Sequence, residues 1–215
     1  MIREFFRYFA LIPGYFYQLI MFKRKTYYEN KKVQGRMVKG GALIVSNHYH
    51  VYDYFVNLYL YFPLRKLYFV MKSDIYKKSA FCRWGLNCFG AIPADRDENG
   101  MRFMDDTIRT LRKGRLVQIF PEGHTAKTKE MLEFKNSYIP IALRGDVPII
   151  PIITDGNYGL FRRTHIIVGT PIRVTDYCDR ANPSREQIEK LNKMVRDRCL
   201  ELQAELNRRI AKKGE

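Results

Sequence analysis

Short, β-branched apolar runs recur along this chain with helix-period segments between them, and no other feature restricts the possible folds so strongly. Ala42–Ser46, bounded by Gly40-Gly41, reads as a buried strand, and similar runs occupy residues 67–71, 116–120, 149–153 and His165–Val168. Helical patterns fill residues 53–61, 75–88 and 100–113, the last with Met101, Met104, Ile108 and Leu111 on one face and Gly114 as its stop. Strands that are apolar throughout need cover on both faces. The expectation is an α/β fold, a single domain with a central, largely buried mixed sheet flanked by helices. A chain of 215 residues that is 46% apolar can bury the core this requires. The prolines of Val147-Pro148-Ile149-Ile150-Pro151-Ile152 predict an edge strand or a strand end. Ser184 and Gln187 form a capping box ahead of Ile188, Leu191, Val195, Leu202, Leu206 and Ile210, so one amphipathic helix should close the chain.

The start of the chain is of another kind. Residues 5–22 read FFRYFALIPGYFYQLIMF and are followed by Lys23, Arg24 and Lys25. Pro13-Gly14 predicts two short helical pieces hinged there rather than one helix. Aromatic rings flanked by cations suit the headgroup layer of a bilayer. Residues 1–30 are therefore expected to form an N-terminal amphiphilic, interfacial helical membrane-binding segment ahead of an α/β domain over 31–215. A buried helix packed against that domain is the alternative. No window reaches the ~20 uncharged apolar residues of a clean membrane span, and no cleavage site follows the apolar start. Attachment at the cytoplasmic face of a membrane, monotopic or peripheral, is the expectation.

Lysine and arginine number 38 against 22 carboxylates, so the formal charge is 38 − 22 = +16. An excess of that size implies an anionic partner: an acidic membrane face, a phosphorylated metabolite, an acidic carrier protein or nucleic acid. The cations are spread along the chain and no familiar nucleic-acid motif appears, so nucleic acid is not expected. The four cysteines include no C-x-x-C pair, and Cys199 in the helical tail reads as a small buried hydrophobe, which favours a reducing compartment.

Four clusters can carry chemistry. Asn47-His48-Tyr49-His50-Val51-Tyr52-Asp53 directly follows the first predicted strand. A histidine at a strand end and an acid opening the next helix meet if the loop folds back. The carboxylate then holds one ring nitrogen and leaves the other as a base, at the rim where α/β sheets gather functional groups. The same letters, His48-x-His50-x-x-Asp53, can also begin a metal site, although only His124 and His165 remain as further imidazoles and neither lies in a ligand cluster. No G-x-S-x-G elbow is present, so direct transfer is favoured over a covalent enzyme intermediate. Phe120-Pro121-Glu122-Gly123-His124-Thr125 forces a tight turn expected to present Glu122 outward to substrate hydroxyls. Gly90-Ala91-Ile92-Pro93-Ala94-Asp95-Arg96 places a guanidinium fork just beyond a short extended run, where it suits a phosphate. The apolar 147–152 run can wall an acyl chain or fill core.

In order, Asn47-His48-x4-Asp53, Gly90-x-Ile92-x3-Arg96, Phe120-Pro121-Glu122-Gly123 and Val147-Pro148-Ile149-Ile150-Pro151 resemble the four sequence blocks of the glycerolipid acyltransferases, of which the lysophosphatidic acid acyltransferases are the best known. The resemblance runs from about Gly35 to Pro171. It implies that His48 is the general base and Asp53 its partner, that Asn47 belongs to the substrate site, that Arg96 binds the acceptor phosphate, and that Glu122 and Gly123 shape the acceptor pocket. It implies acyl-CoA or acyl-carrier protein as co-substrate with no cofactor, a lysophospholipid as acceptor, and an anionic membrane surface as partner. Where the family continues the P-E-G block with threonine or serine and then arginine, this chain has His124 and Thr125. Lys127, His124 or Lys135, beside Phe134, are the substitutes for that missing cation. A lysolipid other than lysophosphatidic acid, or another hydroxylated lipid, therefore stays open as acceptor.

Overall fold

The computed structural model describes residues 2–94, 101–126, 128–212 and 214. In chain order it contains α1 (Ile2–Met21), β1 (Lys25–Tyr28), β2 (Ala42–Ser46), α2 (Tyr52–Tyr61), β3 (Leu67–Lys72), α3 (Ser73–Lys77) and α4 (Ala80–Phe89). It continues with β4 (Ala91–Ala94), α5 (Met101–Arg112), β5 (Leu116–Ile119), α6 (Tyr138–Gly145), β6 (Ile149–Thr154), β7 (His165–Val168) and α7 (Arg185–Ala211). The strands form a seven-stranded mixed sheet in the order β1-β7-β6-β2-β5-β3-β4, parallel except where β6 meets β7.

Both faces of the sheet are covered, as strands without polar alternation require. In β2, Leu43 and Val45 join the core made with α5, α6 and α7, whereas Ala42 and Ile44 join the core made with α1 and α2. The closing helix is capped by the reciprocal Ser184–Gln187 box, and it buries Leu191, Val195, Cys199, Leu202 and Leu206 against the first of these cores.

Three local expectations are corrected. The 75–88 pattern is two helices, because Ser79 leaves helical geometry and caps α4 by accepting from the Cys82 N–H at 3.0 Å. Pro148 stands at a strand end, directly before β6, as one of the two alternatives had it, but Pro151 lies within β6, which is interior to the sheet rather than an edge. Its carbonyl accepts from Gly169 N–H at 2.8 Å just past the end of β7, so the donor that proline lacks falls where the β6–β7 ladder has finished. The third correction is α1, a continuous helix with Pro13 inside it. Its inner stripe, Arg7, Leu11 and Gln18, is buried together with Phe22 just past its end, and Arg7 donates to the Leu67 carbonyl at 3.0 Å. Gly14 lets the helix approach α2 so closely that a Cβ there would lie 2.0 Å from the Tyr59 hydroxyl oxygen. Packing of this kind overrides the propensity of a Pro-Gly pair to break a helix. No described helix is long and apolar enough to cross a membrane.

Candidate active site

Because β5, β2 and β6 are parallel, the segments that leave them emerge at one rim of the sheet. The chain after β2 curls round the carboxylate of Asp53 in the first turn of α2. Asp53 Oδ2 accepts the backbone N–H groups of Tyr49 and His50, both at 2.7 Å, and lies 3.0 Å from His48 Nδ1. Its other oxygen accepts from the Tyr158 hydroxyl. Asp53 is fully buried, while the His48 side chain keeps 20% of its surface exposed. With Nδ1–H given to the carboxylate, the remaining ring nitrogen, Nε2, carries the lone pair. The imidazole also lies flat on Phe120, ring centroids 4.0 Å apart and planes 18° apart, which fixes its tilt.

Glu122 corrects an expectation. It is buried rather than presented outward, and its two oxygens accept from His48 N–H at 2.9 Å and Leu132 N–H at 3.0 Å. Burial raises its pKa, opposed first by those two backbone donors. Together with the Ala126 N–H, which donates to the His48 carbonyl at 2.8 Å, it anchors the His48 backbone on both sides. Proline and glycine do make the tight turn, but the turn aims the carboxylate inward at two backbone donors, which it satisfies.

Asn47 is likewise a brace. It is buried, and its amide exchanges hydrogen bonds with both backbone groups of Thr154, at 2.9 and 3.0 Å, carrying the β2–β6 pairing one step beyond Ser46. Gly123, His124 and Thr125 are exposed on the turn beside the dyad. Lys135 is brought to them: its backbone N–H donates to Pro121 O at 2.9 Å, and its ammonium lies across Gly123, where a Cβ would sit 2.9 Å from Nζ. Arg96 and Lys127 lie outside the described residues.

Tyr158 was not anticipated from the sequence. It stands in Asp155-Gly156-Asn157-Tyr158-Gly159, a turn segment directly after β6, so strand-end position was the available signal. Burial first, and the Asp53 carboxylate second, raise its pKa, which keeps the phenol a donor. Among the described residues no group of three or more His, Cys, Asp or Glu side chains gathers as a metal set, and His165 instead pairs with Asp155 at 2.8 Å. A cleft of about 590 Å³ opens beyond β3 and β4, lined by Lys77, Arg83, Arg102 and Arg109 beside Tyr68 and Phe103.

A family model described as Acyltransferase matches residues 23–155. The 1-acyl-sn-glycerol-3-phosphate acyltransferase of Bacillus subtilis (strain 168) is 25% identical over 147 residues, covering 66% of this chain and 71% of that protein. The Saccharomyces cerevisiae protein of the same description is 27% identical over 187 residues, covering 79% of this chain but only 58% of the yeast protein. Among solved structures, that of the 1-acyl-sn-glycerophosphate (LPA) acyltransferase PlsC from Thermotoga maritima shares the fold with a TM-score of 0.59. Its identity is 20%, and the match covers 83% of this chain and 72% of that one.

Proposed function

The chain belongs to the acyltransferase family, as its four ordered motifs led one to expect, and from that premise we propose that it transfers a fatty acyl group from an acyl-CoA or acyl-carrier-protein thioester to the hydroxyl of a lysophospholipid. The acceptor is 1-acyl-sn-glycerol-3-phosphate and the product phosphatidic acid. The observation that carries this reading is the His48–Asp53 pair, its carboxylate held by two backbone N–H groups and its imidazole partly exposed.

In the scheme, His48 Nε2 takes the proton of the acceptor hydroxyl as its oxygen attacks the thioester carbonyl. Buried Asp53 offsets the charge of the imidazolium that forms. Collapse of the tetrahedral intermediate breaks the carbon–sulfur bond, and the departing thiolate receives the proton from His48. Atoms and charge balance without an acyl-enzyme or a resident cofactor. Lys135, whose ammonium lies across Gly123, and His124 on that turn are the described side chains suited to donate to the acceptor phosphate, with Arg96 as the further candidate.

The cationic cleft is a separate phosphate-binding region suited to the donor. Three strand steps, about 14 Å, separate β4 from β2. That span matches the long arm joining a thioester to its phosphates. Substitution of Arg102 by Ala should then raise KM for the acyl donor severalfold and leave KM for the acceptor unchanged. The protein would work from the cytoplasmic face of a membrane, held peripherally through α1.

The deciding experiment offers the purified protein a panel of lysolipids with labelled acyl-CoA and acyl-carrier protein, and repeats the productive pair with His48→Ala. Loss of transfer with the circular-dichroism spectrum unchanged is expected, and retained transfer would refute the scheme. A different preferred lysolipid would trace to His124 and Thr125 standing where relatives continue the motif with Arg.

A further inference from the structure

The outward face of α1 has the wrong polarity for water. Its protein-facing stripe buries Arg7 and Gln18, while Ile2, Phe5, Phe9, Ile12, Phe16 and Ile20 point away from the domain, each more than half exposed. A surface helix of a water-soluble domain carries the opposite arrangement, and an apolar face of this extent marks an interaction site.

That face continues onto two other elements. At its N-terminal end, Phe6 meets Trp84 of α4 edge to face at 5.0 Å, and Trp84 stacks on Phe81 at 6.2 Å. Phe81 is 79% exposed although it belongs to a capped, well-formed helix. At the other end, the Met21 carbonyl accepts from Gly159 N–H at 3.3 Å, and the Phe22 ring meets that of Tyr158 at 5.5 Å. This ties to α1 the loop that exposes Leu160 and, at 91%, Phe161. The 20-residue helix spans about 30 Å, so exposed aromatic groups from two other parts of the chain border it, one near each end. Exposed Lys78, Arg83, Lys23 and Arg162 accompany them.

We infer that α4, through Phe81 and Trp84, and the 160–161 loop, through Leu160 and Phe161, are membrane-contacting elements in their own right, so that the protein docks on an anionic bilayer at three places rather than by an N-terminal anchor alone. Rings bordered by cations fit the headgroup layer of such a bilayer. A second copy of the chain fits less well, because each copy carries +16 and the fringe cations would face one another. The inference builds on the membrane attachment proposed for α1. It also gives the third anchor a functional place, since Tyr158, two residues before Leu160, donates to the Asp53 carboxylate.

Trp84 is the only tryptophan in the chain, so the unmodified protein reports on the contact. Vesicles of phosphatidylcholine with about one quarter phosphatidylglycerol supply the anionic surface. Their addition should shift Trp84 emission to the blue, and acyl-chain-brominated phospholipid should quench it. Co-sedimentation with vesicles while Trp84 emission stays unchanged overturns the inference, as does a blue-shifted dimer in the absence of lipid. Phe81→Ser combined with Phe161→Ser should weaken vesicle partition about tenfold or more, with turnover of detergent-dispersed substrates retained. Partition equal to the unmodified protein overturns the inference whatever the activity. A chain that transfers no acyl group yet brings Trp84 into lipid leaves the docking surface standing and refutes only the acyl-transfer reading.

Discussion

A carboxylate that orients a catalytic imidazole must itself be held, and Asp53 is held at three points besides His48: two backbone N–H groups on Oδ2 and the Tyr158 phenol on Oδ1. Hydrogen bonds to charged groups contribute about 1.5–3 kcal/mol. Tyr158→Phe should therefore lower kcat roughly 10- to 100-fold with KM for the acceptor within about twofold, since phenylalanine preserves the ring contacts but frees one carboxylate oxygen. Steady-state kinetics check this, and a raised KM with unchanged kcat would show that Tyr158 touches the acceptor instead. Glu122→Gln tests the second buried carboxylate. The amide keeps one acceptor but turns an N–H₂ towards the N–H of His48 or of Leu132, a cost of about 1–3 kcal/mol in urea denaturation. The pH sign follows from the raised pKa of Glu122. The folded state holds that proton more tightly, so this group's contribution to stability declines as pH rises from the unfolded value near 4.5 towards the folded one. The stability advantage of the unmodified protein over Glu122→Gln should shrink across that window. His48 and Asp53 were legible from sequence because a five-residue loop after a strand brings its ends together locally. The roles of Asn47 and Glu122 were not legible, because their partners, Thr154, Leu132 and the His48 backbone, are set by which strands become neighbours. Neither residue's own segment encodes that.

At the level of elements, the strands that read clearly were those apolar throughout, and β1, with the sequence Lys-Thr-Tyr-Tyr, escaped notice because an edge strand with a polar start carries no such run. The helix α6 was also missed. Its residues Tyr138, Ile139, Ile141, Ala142 and Leu143 are all buried, so no polar face gives it a helical period. Misreading α1 has a more instructive cause. Pro-Gly inside an aromatic run carries the signature of a break, and only the position of Tyr59 on α2 turns Gly14 into a point of close contact. This makes α1 docking testable without touching the catalytic residues. Gly14→Ala should destabilise the protein by about 1–3 kcal/mol through overpacking against the buried Tyr59 hydroxyl. Adding Tyr59→Phe should restore most of the loss, because the nearest remaining ring atom is then 3.3 Å from the new methyl group. Additive losses in thermal melts of the single and double variants would show that α1 is seated by other contacts.

For the molecule as a whole, charge and apolar surface make separable contributions to where it sits. The +16 excess acts at a distance and through salt-sensitive fields, whereas the rings on α1, α4 and the 160–161 loop act only on contact and are indifferent to ionic strength. Near an anionic leaflet each exposed lysine or arginine contributes about 1 kcal/mol, falling off within a Debye length, and that length shrinks from about 30 Å at 0.01 M salt to about 3 Å at 1 M. Partition onto vesicles containing phosphatidylglycerol should therefore fall steeply with added salt and then level off. Partition onto pure phosphatidylcholine should be weaker and nearly flat, and the two curves should converge at high salt on the contribution of the aromatic surface. Co-sedimentation across a salt series measures both curves. Convergence on no binding at all would mean that the rings stay out of the lipid and that charge alone holds the protein there. Equal slopes on the two vesicle types would mean that the cations face elsewhere. A plateau that drops further with Phe81→Ser and Phe161→Ser, at an unchanged salt slope, would assign the contact term to those residues and the steering term to the cations around them.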